Sequence, residues 1–276
     1  MKHLINFFKG MIIGIANIIP GVSGGTIAIT MGIYEKLINT IGNFFTDFFK
    51  NLKNNLTFLI PVGLGAVVGI LTLSRFLEYL LENYVMPTKF AFIGLILGGI
   101  PLIFKSSNAK GFKKSYLVPG IITLLIGVSL TILQNLGLTG IEIVELNLNL
   151  GNILILFTIG VIAATSMVIP GISGSFMLVL LGYYTFILSS VNTFNIPILI
   201  PFGLGVVVGV LFCAKLIDFL LNRFYGYTYY GILGFVLGSI PAIYPGFSFN
   251  ILGIVSIIVL LLGFAFSYFF DKVTNK

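Results

Sequence analysis

"IANIIPGVSGGTIAI", residues Ile15 to Ile29, sets a proline, three glycines, a serine and a threonine into an otherwise apolar run. Proline removes a helical hydrogen bond and glycine favours non-helical backbone, so a helix entering this stretch must break. "TSMVIPGISGSFMLV", Thr165 to Val179, repeats the same break 150 residues further on. A kink of no consequence has little reason to occur twice at matched positions.

The surroundings of these breaks set the class of protein. With 58% hydrophobic and 8% charged residues and a mean hydropathy of +1.12, the 276-residue chain lacks the polar surface to coat a soluble globule. It reads as an integral membrane protein. Apolar runs such as 58–74, 117–133, 198–214 and 251–270 approach the roughly 20 residues that one helical crossing needs. Short alternating strands of a closed barrel are missing. The leading "MKHLINFFKGMIIGIANIIPG" imitates a secretory signal, yet no small-x-small cleavage site follows and its break recurs later, so it is expected to belong to the fold. Cys213 is the single cysteine and His3 the single histidine, which argues against disulfides, thiolate or zinc sites and histidine-dependent lipid phosphatases. No metal or cofactor is expected. The net charge of +7 is read as topological information and not as a nucleic-acid footprint.

Internal repetition extends beyond the two breaks. "PVGLGAVVGILTLSRFLEYLL", Pro61 to Leu81, aligns without gaps to "PFGLGVVVGVLFCAKLIDFLL", Pro201 to Leu221, with ten identities in 21 positions. "GLILGGIPLIF", from Gly94, likewise answers "GFVLGSIPAIY", from Gly234. The offset falls from 150 at Pro20/Pro170 to 140 at Pro61/Pro201, so the second copy lacks ten residues where the first has the Phe-rich "NTIGNFFTDFFKNLKNN". That stretch reads as an amphipathic segment on the membrane surface or as a solvated loop. The glycine pairs Gly65/Gly69, Gly205/Gly209, Gly94/Gly98 and Gly234/Gly238 have the spacing of helix-packing seams.

The predicted fold is an all-α polytopic membrane protein of two inverted-topology repeats, each a Pro-Gly-broken re-entrant helical hairpin followed by three transmembrane helices. The first repeat covers 1–134, with a hairpin over 10–38, a surface segment over 39–57 and spans over 58–82, 89–104 and 116–134. An outer loop covers 135–150. The second repeat covers 151–276, with a hairpin over 151–190 and spans over 196–221, 228–244 and 250–270. With a cytoplasmic N-terminus this places 13 of the 15 lysines and arginines inside and only Arg75 and Lys89 outside, as the positive-inside bias favours. A hairpin crossing fully twice gives the same sidedness. Unwound backbone at membrane depth favours re-entry, because it is tolerated only where protein or a water-filled cavity surrounds it.

After each Pro-Gly the helix is expected to restart at a serine N-cap, Ser23 or Ser173. The free N–H groups beyond it then point toward mid-membrane, where a positive helix end and close glycine approach suit an anion. Pro20, Gly21, Ser23, Gly24, Gly25 and Thr26 in one copy and Pro170, Gly171, Ser173, Gly174 and Ser175 in the other are therefore the candidate substrate-binding residues. Arg75 and Lys215 lie at matched positions far along their helices and are candidate phosphate-receiving cations at opposite mouths. The alternative is snorkelling, with pairing to Glu78 or Asp218 three positions on.

"GIANIIPGVSGGTIAITMGIYEKLI" and "MVIPGISGSFMLVLLGYY" resemble the paired signature of the bacterial polyprenyl-phosphate transporter family PopT, and the resemblance covers nearly the whole chain. It implies a translocase that returns undecaprenyl phosphate, the carrier of cell-wall precursors, from the outer to the inner leaflet of the cytoplasmic membrane. Many members carry an acidic residue where this chain has Asn17, which joins the candidate site. If that carboxylate couples protons elsewhere, its role here passes to another group such as Glu35, or is absent. The expected partners are a polyprenyl phosphate and membrane lipids, with no nucleic acid; homo-oligomerisation is left open. Expected transport is by alternating access without a covalent step. The alternatives are a small-anion channel or exchanger on inverted re-entrant helices and, last, a lipid-phosphate enzyme.

Overall fold

The computed structural model describes residues 2–18, 22–44, 50–136 and 146–274, and among these all regular structure is helical. The first half contributes α1 (Lys2–Ile18), α2 (Gly24–Thr30), α3 (Tyr34–Gly42), α4 (Leu52–Asn83), α5 (Val85–Ser107) and α6 (Leu117–Asn135). The second contributes α7 (Leu150–Val168), α8 (Gly174–Leu180), α9 (Tyr184–Asn192), α10 (Ile196–Arg223), α11 (Tyr225–Ile243) and α12 (Ile251–Thr274). Of the stretch expected as a surface segment, helix occupies both ends, α3 to Gly42 and α4 from Leu52, and residues 45–49 lie outside the described residues.

Six of the described helical segments, Leu52–Leu73, Val85–Ser107, Lys114–Leu133, Leu150–Val168, Ile196–Arg223 and Ile251–Phe270, are long and apolar enough to cross a bilayer. The chain is a multi-pass membrane protein. Its outward side chains suit lipid, since Leu64, Leu71, Leu204 and Leu262 are all more than half exposed. Helix α11 has the same 19 residues as α7, but it opens with Tyr225, Tyr227, Tyr229 and Tyr230 and is less apolar.

Glycine carries the packing. A Cβ on Gly65 or Gly69 would overlap the carbonyls of Phe7 and Met11, and one on Gly10 or Gly14 those of Val62 and Ala66. Helices α1 and α4 therefore run in the same direction at backbone contact, and the chain between them returns to its starting side. Gly205 and Gly209 press α10 on Phe157 and Val161 of α7 in the same parallel sense. The other seams join the halves: Gly94 and Gly98 of α5 meet Leu260 and Phe264 of α12, and Gly234 and Gly238 of α11 meet Gly120 and Leu124 of α6. All eight glycines of the four GxxxG pairs thus serve close helix approach.

The hairpins are broken more than once. The second has one unbroken arm, α7, whose 19 residues reach about 28 Å. Its other arm is split into α8 and α9, which meet at 116°. The bend falls at Gly182 with φ 77°, and Gly32 with φ 68° takes the same place between α2 and α3. That left-handed backbone suits glycine. The two short helices differ in packing: six of the seven residues of α2 are buried, but only Gly174 and Phe176 of α8.

Candidate functional site

The tip of the second hairpin meets α2 and α3 of the first half. The N–H of Gly171 donates to Thr26 Oγ1 at 2.7 Å, and Tyr34 Oη donates to the carbonyl of Val168 at 3.0 Å. Gly25 faces the same turn, where a Cβ would stand 3.1 Å from the Val168 carbonyl oxygen and 3.3 Å from Pro170 N. Pro170 is fully buried, and Gly171 takes φ 89°, open to glycine and strained for other residues. Four of the expected binding residues, Gly25, Thr26, Pro170 and Gly171, thus join one tip to the other. Pro20 and Gly21 lie outside the described residues.

Beside this junction is a cavity of about 340 Å³ to which both copies contribute: Asn17, Ser23 and Gly24 from the first, Ser173, Gly174 and Ser175 from the second. Met167, Phe202, Val206 and Leu178 supply an apolar wall. No ionisable side chain among the described residues lines it, so the polarity they give it comes from hydroxyl, amide and main-chain groups.

The main chain repeats closely across the two copies. Ser23 (φ −96°, ψ 128°) and Ser173 (φ −96°, ψ 127°) both occupy N-cap positions. The helical ladder begins with Ile27 N–H on the Ser23 carbonyl (3.2 Å) and Met177 N–H on the Ser173 carbonyl (3.1 Å), which leaves the preceding amides ahead of it. Neither serine side chain makes the expected cap bond. Ser173 Oγ pairs instead with Ser175 Oγ at 2.9 Å. The first copy has Gly25 where the second has Ser175, so Ser23 has no such neighbour, and its Oγ is buried without a hydrogen-bond partner. A buried unpaired hydroxyl bordering a cavity is poised for a ligand.

Asn17 donates through Nδ2 to the Ile13 carbonyl of its own helix at 3.1 Å, and its amide lies against Gly24. Its matched residue, Met167, lies against Gly174 in the same way. Any side chain at either glycine would therefore disturb arm-to-arm packing as well as the cavity.

The remaining candidates lie away from the tips. Glu35 accepts a hydrogen bond from the buried Tyr229 hydroxyl, a partner 194 residues away that no local pattern indicates. Lys215 is exposed and borders an apolar groove of about 370 Å³ with Ile41, Leu211 and Phe212. The expected local partner of Lys215 is engaged elsewhere: Asp218 accepts from Asn39 Nδ2 and Asn43 Nδ2, each at 3.0 Å. Arg75 lies on α4, and its side chain is outside the described residues.

A family model described as undecaprenyl phosphate translocase-like matches residues 13–257. The chain is 35% identical to the polyprenyl-phosphate transporter of Staphylococcus aureus, over 99% of this chain and 97% of that protein. It is 34% identical to the polyprenyl-phosphate transporter of Vibrio cholerae, over 89% and 79% of the two. No solved structure matches it. A match of that extent, together with the paired Pro-Gly strings of the sequence, decides the matter: the chain belongs to the undecaprenyl phosphate translocase-like family.

Proposed function

We propose that this protein translocates polyprenyl phosphate across the bacterial cytoplasmic membrane, returning undecaprenyl phosphate from the outer to the inner leaflet. The observation that carries this reading is the cavity built from Ser23 and Gly24 of one hairpin and Ser173, Gly174 and Ser175 of the other. The phosphate would bind there to hydroxyls and main-chain amides, and the isoprenoid tail would stay against apolar surface or lipid. The two halves are read as inverted repeats, a reading supported by the parallel pairs α1/α4 and α7/α10 and by the exchanged pairs α5/α12 and α6/α11. The N-terminus is read as cytoplasmic, a reading supported by the lysine and arginine bias of the sequence.

Alternating access is supported by the unequal packing of matched elements. The inverted copy of a buried α2 is a half-exposed α8, so the tip cavity is closed on the α2 side and looser on the α8 side. Exchange of those environments would open the opposite face. Binding and conformational change suffice, and no covalent step is invoked.

The test is leaflet-resolved transport of undecaprenyl phosphate in proteoliposomes holding the purified chain. Accelerated movement between leaflets is expected. Unchanged movement beside flux of inorganic anions would replace the translocase with an anion channel or exchanger.

A further inference from the structure

Away from the tips, two cavities adjoin at Glu35 and Tyr225. One, of about 320 Å³, runs from Ile29 and Gly32 at the C-terminal end of α2 to Lys105 and Tyr229. The other, of about 380 Å³, continues past Lys36 and Lys110 to Asp218. Together they form a vestibule that, among the described residues, holds three ammonium groups and two carboxylates.

These charges do not neutralise one another in pairs. Lys36 Nζ stands 4.2 Å from the centroid of the Phe58 ring, and Lys110 Nζ 4.6 Å from that of Tyr225. An aromatic face holds a cation in place and leaves its charge uncancelled. None of Lys36, Lys105 and Lys110 forms an ion pair among the described residues. The acids are held by neutral donors, Glu35 by the Tyr229 hydroxyl and Asp218 by the amides of Asn39 and Asn43. Among the described residues, three cations against two anions leave the vestibule net positive, with ammonium protons available to a ligand rich in acceptors.

We propose that the vestibule binds a phosphate monoester through Lys36, Lys105 and Lys110, as a site distinct from the tip cavity. This rests on the translocase reading for the source of the phosphate, not for the chemistry that recognises it. The two sites lie at opposite ends of α2: Ser23 and Gly24 border the tip cavity, and Ile29 and Gly32 the vestibule. Seven residues of buried helix, about 10 Å, separate them. A headgroup in the vestibule is therefore held one step short of the tips and reaches them only if α2 moves. Glu35, beside the lysines, opposes the anion and keeps its residence weak enough for release.

The site has no twin. By the repeat offsets, Thr185 stands in the second copy for Glu35, Phe186 for Lys36, and Lys89 in the first copy for Tyr229. The two ends of the transport path thus differ chemically even where the helices match.

The test uses the full chain in detergent, with Cys213→Ser and Ala109→Cys placing a single thiol in the vestibule wall. Its alkylation by neutral iodoacetamide is followed against geranyl phosphate, geraniol and inorganic phosphate. Geranyl phosphate should slow the reaction and geraniol should not. Lys105→Gln with Lys110→Gln should raise the half-protecting concentration by about tenfold or more. Glu35→Gln should lower it severalfold, a change in the direction that misfolding cannot imitate. Equal protection by inorganic phosphate assigns recognition to the phosphate group alone, and protection only by the lipid assigns it to head and chain together; both support the site. No protection by either phosphate, equal protection by geraniol, or protection undiminished in the lysine variants overturns it. Protein that is protected but fails to move polyprenyl phosphate in proteoliposomes keeps the vestibule and loses the translocase; the reverse result loses only the vestibule.

Discussion

The N–H of Gly171 and the hydroxyl of Thr26, 145 residues apart in the chain, are joined at 2.7 Å and bind one broken hairpin to the other. Thr26 is 1% exposed, so water cannot readily replace this bond. Thr26→Val keeps the shape and removes the acceptor, leaving the amide unpaired at a cost of about 1–3 kcal/mol. The expected result is a lower midpoint of thermal unfolding in detergent, restored by Thr26→Ser. An unchanged midpoint in Thr26→Val would show that the junction is held by packing alone.

Ser23 offers the opposite case. Its buried Oγ has no partner among the described residues, so Ser23→Ala removes a desolvated hydroxyl and should leave stability unchanged or slightly raised. If that hydroxyl serves the phosphate, affinity for a polyprenyl phosphate should fall about ten- to a hundredfold, the equivalent of roughly 1.5–3 kcal/mol. Ser173→Ala also breaks the bond to Ser175, so it should affect both stability and binding. Titration of folded protein decides the matter, and parental affinity in Ser23→Ala would take the ligand away from this hydroxyl.

These contrasts mark what a sequence carries. The Pro-Gly breaks and the glycine seams were legible because similar strings recur at offsets of 150 and 140 residues and the residue types have few other uses. The unlike packing of α2 and α8 was not: GGTIAIT and GSFMLVL share only their first residue, and both are apolar enough to be buried against protein or to face lipid. Lys215 and Asp218 show the limit of local rules: their spacing suggests an ion pair, but Asn39 and Asn43, about 175 residues away in sequence, take the carboxylate. Glu35 was a candidate by its charge alone, whereas Tyr229, Lys105 and Lys110 around it required the fold. The second bend at Gly32 and Gly182 is visible in "MGIY" and "LGYY", yet apolar flanks hide a turn that only a positive φ reveals.

Sidedness is open to a direct measurement. In a Cys213→Ser background, Lys113→Cys and Asn222→Cys should react with an impermeant thiol reagent only from the cytoplasmic face, and Asn147→Cys only from outside. All three positions are exposed, unlike the buried Ser107 of the same loop region. Labelling of Lys113→Cys and Asn147→Cys from one face would remove the inverted arrangement, because α6 would then not cross.

Lys215 and Arg75, the cations expected at the two mouths, are open to the same kind of test. Lys215 is exposed, makes no ion pair among the described residues and borders an apolar groove, a combination suited to a lipid with an anionic head. Asp218, one turn on, is held by two amides and does not neutralise it. Arg75 occupies the matched position of α4 by the 140-residue offset. Lys215→Gln removes the charge while keeping most of the side-chain length, so folding and expression should be unaffected. Transport should fall about tenfold if the ammonium makes one charge-assisted contact to phosphate. Inverted mouths predict a further distinction: in oriented proteoliposomes Lys215→Gln should act more strongly when substrate is loaded from the cytoplasmic side, and Arg75→Gln when it is loaded from the outer side. Equal losses from both sides would assign the two cations to a shared step, and parental transport in both variants would return them to the role of snorkelling residues at the membrane interface.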